Sequence, residues 1–328
     1  MKYEIDINRL ILFGSVRDDQ VCRRIAQISV ASGTADTAYY EVQRILLDEI
    51  GRGEITGNVL QNHLCRLIAQ EENTFTRMAE VGRFEGLGLG RLGEPKPGKL
   101  GTIEKAILEL AEEEIAVLQH LYQFQFQQNA AIGAADAASV TGRATANRRF
   151  DATRLPAVGT DDSGGTCTPS RREAVHQALL KQDPAEAALA LARYDRSFGS
   201  GILEAASAFL FDQEGLVPAE RIDPITFEDL IGCEHQKHAL IENASAQLRG
   251  LPANNVLLYG DSGTGKSSSV KALLNRFADQ GMKLVSIGRD QLDRLPGALD
   301  AIAGRGMKFE QYADRLDRPG RNQRESAD

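Results

Sequence analysis

Residues 254–277 read NNVLLYGDSGTGKSSSVKALLNRF, and this stretch decides how the chain is interpreted. Its centre, Gly260-Asp261-Ser262-Gly263-Thr264-Gly265-Lys266-Ser267, satisfies the pattern G-x-x-x-x-G-K-[ST] at every fixed position. Val256 to Tyr259 is a short apolar run suited to a buried parallel strand. Ser267 to Phe277 carries Val270, Leu273, Leu274 and Phe277 at helical spacing. Strand, glycine loop and helix therefore stand in the order that a phosphate-binding loop requires.

The chemistry explains the spacing. A triphosphate is a dense anion and needs many donors at close range. Glycines at 260, 263 and 265 let the backbone bend and approach without a Cβ in the way. The amides of Asp261, Ser262 and Thr264 then point inward as an anion nest. The helix that starts near Gly265, with Ser268 in its first turn, adds the positive end of its dipole. Lys266 reaches the β- and γ-phosphates as a mobile point charge. The Ser267 hydroxyl supplies one ligand to Mg²⁺, which keeps most of its waters. The expected ligands are ATP or ADP with Mg²⁺.

Outward from the loop, residues 223–296 run from DPITFEDLIGCEHQKHAL through the loop to KLVSIGRDQLDRLP. This stretch resembles the start of an AAA+ ATPase module. More narrowly, it is similar to a bacterial family of AAA-type ATPases with a helical N-terminal region. The resemblance extends upstream through ARYDRSFGSGILEAASAF and covers roughly residues 190 to 300. It implies that Leu230-Ile231-Gly232 lines the adenine pocket, with Ile231 and Gly232 touching the base.

The chain departs from that family after the loop. A second strand is expected at Lys283 to Ile287 and a helix from Asp290 to Ala303. An AAA+ core also needs a third strand ending in two acids, then sensor residues and an arginine finger. Residues 305–328 carry charges of both signs and no run of four apolar residues, so they read as a charged, disordered tail. The alternative within that tail is a degenerate strand, Phe309-Glu-Gln-Tyr-Ala-Asp314-Arg315. There Asp314 would take the magnesium-side place and Arg315 would replace the acid that polarises water. The chain thus reads as a truncated or frame-disrupted member, with nucleotide binding retained, hydrolysis impaired, and a parallel sheet of two or three strands.

The rest of the 328 residues supplies the frame. Residues 1–142 read as a helical domain. Apolar positions recur at Ile103, Ile107, Ala111, Ile115, Leu118, Tyr122 and Phe126 over Thr102 to Asn129, with Glu109 and Glu112 to Glu114 mostly off that face. Two more helices are expected at Thr37–Ile50 and Asn58–Ala79. Such stripes bury a core or dock a protein partner. Residues 143–170, rich in Gly, Thr, Asp, Ser and Arg, read as a flexible linker whose arginines are solvated or touch phosphate. Residues 171–220 form a helical segment, with Asp183-Pro184 as a helix start. Residues 221–304 form the partial nucleotide-binding domain. The fold class is an α/β P-loop NTPase core with an incomplete parallel sheet, preceded by a mostly helical region.

Composition excludes several classes. The net charge of −8 disfavours a nucleic-acid-coating protein. No apolar run approaches the ~18 residues of a membrane span. Glu4 and Asp6 sit where a signal peptide would be apolar, so the chain is expected in the cytoplasm. Cys22, Cys65, Cys167 and Cys233 form no CxxC pair, and Cys233 with His235 and His238 lacks a second ligand pair for zinc. Gly88-Leu-Gly90-Arg-Leu-Gly93 matches G-x-G-x-x-G but has no strand before it and prolines after it, so it reads as a turn. Three functions are compatible with these features: an AAA+ relative that remodels a partner, a non-hydrolysing nucleotide-dependent interaction module, and, less readily, a small-molecule kinase.

Overall fold

A computed structural model describes residues 5–30, 35–50, 56–84, 101–124, 169–213, 215–219, 222–254, 256–259, 261, 263–306 and 308–313. The expected linker, Cys167, the glycine triplet at 88–93, the loop residues Gly260 and Ser262, and residues 314–328 lie outside them. In chain order the helices are α1 (Gly14–Asp18), α2 (Gln20–Val30), α3 (Ala35–Ile50), α4 (Val59–Ala69), α5 (Thr74–Glu80), α6 (Thr102–Tyr122), α7 (Pro169–Leu179), α8 (Pro184–Phe198) and α9 (Ile202–Ala205). Strands β1 (Ala208–Asp212) and β2 (Gly215–Pro218) follow. Then come α10 (Glu234–Leu248), α11 (Lys266–Phe277), β3 (Met282–Ile287), α12 (Leu295–Ile302) and β4 (Lys308–Ala313). The chain divides into two compact units, residues 1–68 with 109–162 and 172–188, and residues 69–108 with 163–171 and 189–328.

The first unit is helical. The expected helix over Asn58–Ala79 is instead two, α4 and α5, because two side chains restart the backbone. Asn58 and Gln61 cap α4 reciprocally, N to Oε1 at 3.0 Å and N to Oδ1 at 2.9 Å. Asn73 and Thr76 do the same for α5, in the second unit. On α6 the buried face within the first unit runs through Ala111, Ile115, Leu118, Leu121 and Tyr122. Glu114 was expected off that face, yet it is buried. Its carboxylate accepts the amides of Ile11, Leu12 and Phe13 at 2.9–3.1 Å, which satisfies three donors at the start of α1. His63 Nε2 lies 3.1 Å from Asp19 Oδ1, and together with the Cys22 amide holds that carboxyl below its usual range despite burial.

The second unit holds a four-stranded mixed sheet in the order β2-β1-β3-β4. β1 and β2 form an antiparallel hairpin in register Phe209↔Pro218 to Asp212↔Gly215. β3 pairs in parallel with β1 (Ala208↔Leu284) and with β4 (Met282↔Lys308). All six residues of β3 are buried, as a central parallel strand requires. Alternate residues face opposite layers. Ala208, Met282 and Leu284 pack with Ala244 of α10 and with Leu273, Leu274 and Phe277 of α11. Phe209, Val285 and Ile287 pack with Leu203 of α9 and with Ala298 and Ile302 of α12.

Four expectations are corrected here. The helical segment 171–220 ends at Ala205 and gives way to the β1–β2 hairpin, two short apolar runs joined by a turn. The sheet has four strands and is not purely parallel. The tail 305–328 contributes β4 over Lys308–Ala313. An outer strand needs one partner, and a fully buried neighbour, β3, supplies it. Arg289–Arg294 is a 3-10 helix leading into α12, so the helix expected over Asp290 to Ala303 is shorter than its apolar pattern suggested.

Candidate functional site

α11 begins at Lys266, the lysine of the glycine pattern. Its N-cap Gly265 has φ 82°, a left-handed conformation that a side chain would oppose. Ahead of it the loop closes on one carbonyl. Thr264 Oγ1 donates to Asp261 O at 2.8 Å, and Lys266 Nζ donates to the same oxygen at 2.6 Å. The ammonium also lies 3.3 Å from Thr264 Oγ1. Ser269 N and Oγ both donate to Gly265 O, at 2.8 and 2.9 Å, and lock the first turn. Asp261, Gly263 and Thr264 are exposed, while Gly265 to Ser268 are half-buried. A Cβ built on Gly263 would meet nothing within 4 Å, so the loop has an open side. Asp261 and Gly263 to Ser268 are thus brought into one turn of backbone.

Residues 222–233 run along α11 as a strap. Asn275 Nδ2 donates to Asp223 O and Ile225 O, both at 2.8 Å, and Lys271 pairs with the Asp223 carboxylate. The amide and hydroxyl of Thr226 both donate to Asp229 Oδ2 at 2.8 Å, which holds that exposed carboxyl below its ordinary range. At the loop end, a Cβ on Gly265 would meet Leu230 Cδ2 at 3.9 Å. The Lys237 ammonium donates to the Leu230 carbonyl and to Glu234 Oε1. Gly232 (φ 79°) and Cys233 (φ 59°) then turn the chain into α10. A non-glycine residue in this region costs roughly 1–2 kcal/mol, so the surrounding contacts must impose the turn. Ile231 is fully exposed and a Cβ on Gly232 would meet nothing within 4 Å. Leu230 brings these two residues beside the loop, on its solvent side.

Val256 to Tyr259, expected as a buried parallel strand, is irregular backbone with Leu257 82% and Tyr259 88% exposed. No strand of the described sheet pairs with it, and four residues without a partner gain too little to order as a strand. One side chain fixes the approach to it. Asn243 of α10 donates through Nδ2 to Asn254 O at 2.9 Å and accepts the Asn254 amide on Oδ1 at 2.8 Å. Asn243, Lys237 and Asn275 carry no motif, and nothing in their spacing announced these roles. Among the described residues no group of three or more His, Cys, Asp and Glu side chains could hold a metal, and no helix is long and apolar enough to cross a membrane.

Residues 204–318 match the model of a family described as a protein of unknown function (DUF815). The DUF815 match covers the sheet, α10 to α12, the strap and the loop. No curated protein and no solved structure matches the chain.

Proposed function

We propose that the chain binds ATP with Mg²⁺ through Gly260 to Ser268, in the manner of an AAA+ ATPase, and that it hydrolyses the nucleotide weakly. The observation that carries this reading is Lys266. It opens a twelve-residue helix directly after a left-handed glycine, with its ammonium folded over the loop's own oxygens. In that position a cation and a helix N-terminus converge on one point, which suits a polyphosphate. The DUF815 match lies over the same stretch whose sequence resembles an AAA+ module.

The donor set fits the ion as well. Ser267 stands next to Lys266 in the first helical turn, half-buried at the loop. Its hydroxyl would take one Mg²⁺ position, with phosphate oxygens and waters filling the others. Mg²⁺ would neutralise the phosphate charge, while Lys266 holds the terminal phosphates. Ile231 and Gly232 would meet the base. β4 ends at Ala313, so Asp314 and Arg315 follow the strand end where two acids would stand in an active ATPase. Arg315 cannot polarise an attacking water as a carboxylate does.

Exposed Val256, Leu257 and Tyr259 favour a second reading, a nucleotide-dependent interaction module with little or no turnover. Isothermal titration with Mg²⁺-ATP beside Lys266→Ala tests the binding. Loss of a charge-assisted bond of roughly 1.5–3 kcal/mol predicts about 10- to 100-fold weaker affinity. Equal affinity of the two proteins would overturn the assignment of Lys266, and absence of any heat in the folded wild type would overturn nucleotide binding. Steady-state phosphate release then separates slow turnover from none.

A further inference from the structure

Arg171, near the start of α7, is 1% exposed and forms no ion pair among the described residues. Its Nη2 donates to Ser207 Oγ at 2.8 Å and to Ala278 O at 3.3 Å. Its guanidinium carbon lies 5.0 Å from the centre of the Phe198 ring, and among the described residues Nε and Nη1 have no hydrogen-bond partner. A buried guanidinium with no carboxylate is costly unless something else supplies negative potential.

The two acceptors identify that source. Ala278 is the C-cap of α11, the helix whose other end opens the phosphate loop. A helix C-terminus carries about half a negative charge, and a cation there is stabilised. Ser207 directly precedes β1, and its carbonyl accepts the Leu284 amide of β3 at 2.8 Å. One nitrogen of Arg171 thus ties the far end of α11 to the root of the sheet. The helix between the two ends is twelve residues, about 18 Å.

We propose that Arg171 is a positioning residue of the phosphate loop. It holds α11 from its C-terminal end, so that the first turn stands ready for the phosphates, and nucleotide at one end reinforces the burial of Arg171 at the other. This inference rests on the nucleotide reading given above. The coupling is reciprocal, as linkage requires: a ligand that fixes α11 also fixes the first turn of α7.

Amide exchange of the full chain with and without Mg²⁺-ATP tests it, beside titrations of Arg171→Met and Arg171→Lys. The expected result is slower exchange at both 263–269 and 171–175 when ATP binds. Arg171→Met should bind ATP about tenfold more weakly while folded, with partial rescue by lysine, and its ATP-dependent protection at 171–175 should vanish. Protection at 263–269 without any change at 171–175 overturns the coupling and leaves the nucleotide site standing. A folded Arg171→Met with wild-type affinity does the same. No protection at 263–269 overturns both. If Arg171→Met does not fold, the wild-type exchange pattern and the lysine variant decide.

Discussion

Arg305 closes on Glu80 through two parallel hydrogen bonds, Nε to Oε2 and Nη2 to Oε1, each 2.8 Å long. The carboxylate also accepts the Ser200 amide and hydroxyl at 2.7 and 2.6 Å, and Arg305 donates to Ser200 O at 3.0 Å. Glu72 joins from the exposed side at 3.1 Å. The residue after Arg305 is Gly306, where a Cβ would sit 1.6 Å from Glu80 O, so only glycine allows this approach. Two residues later β4 begins, which makes the clamp the anchor of that strand.

Removing one partner of this pair leaves a buried charge. Arg305→Met should therefore destabilise the chain by about 3–5 kcal/mol, more than the double change Arg305→Met with Glu80→Gln. Urea unfolding of the two variants provides the comparison, and equal losses would mean that the pair carries no special energy.

Asp195 is buried, and its carboxyl lies well above the ordinary range, through desolvation first and then the nearby charges of Glu80 and Glu204. The folded state therefore keeps a proton that the unfolded chain releases near pH ~4. Stability contributed by this group is present below the unfolded pKa and declines as pH rises toward the folded one, by up to ~1.4 kcal/mol per pH unit. Asp195→Asn should raise the melting temperature at pH 7 and flatten its fall between pH 5 and 7. A melting temperature at pH 7 that drops on this substitution would contradict it.

Glu114 satisfies three consecutive amides with one carboxylate. Glu114→Ala leaves those donors without an acceptor and should cost about 3 kcal/mol, whereas Glu114→Gln keeps one oxygen and should cost about 1–2 kcal/mol. Amide exchange at Ile11 to Phe13 should quicken in the same order. Unchanged exchange there would show that other groups carry the turn.

The thiols differ in accessibility and in acidity. Burial pushes Cys65 up to about 12 and Cys22 well above its usual value, whereas Cys233 is exposed at the turn into α10. In a Cys167→Ser background, iodoacetamide at pH 8 should modify Cys233 and spare the other two until the chain unfolds. Native labelling of Cys65 would place it outside the core.

Gly265→Ala forces a side chain into φ 82° at the first turn of α11 and should cost about 1–2 kcal/mol. The same change should weaken Mg²⁺-ATP binding, because the Lys266 backbone moves with it. Retained affinity together with lowered stability would separate the loop from the ligand.

α11 and β3 were legible because both follow from runs whose periods are unambiguous. The β1–β2 hairpin was missed, although two short apolar runs, AFLF and GLVP, flank Asp212 to Glu214. The helix propensity of the preceding AEAALALARY masked these runs. Val256 to Tyr259 failed in the opposite direction. Its residues are apolar enough for a strand, but a strand needs a neighbour, and pairing is a property of the whole sheet. The strap contacts from Asn275, Lys271 and Lys237 join positions up to 52 residues apart and leave no periodic trace. Glu114 broke the rule that charge lies off the apolar face, because backbone amides rather than water solvate it.

Lys283, the second residue of β3, has no exposure, and its ammonium is bound to the carbonyls of Leu203 and Ala206 at 2.6 and 2.8 Å. Those oxygens lie in the layer of α9, on one side only. If the strand slid by a single position during assembly, the cation would enter the hydrocarbon beneath α10 and α11, where no such oxygens are placed to receive it. The lysine therefore acts as a detent: one alignment of the sheet gives it carbonyl partners, and a slipped one does not.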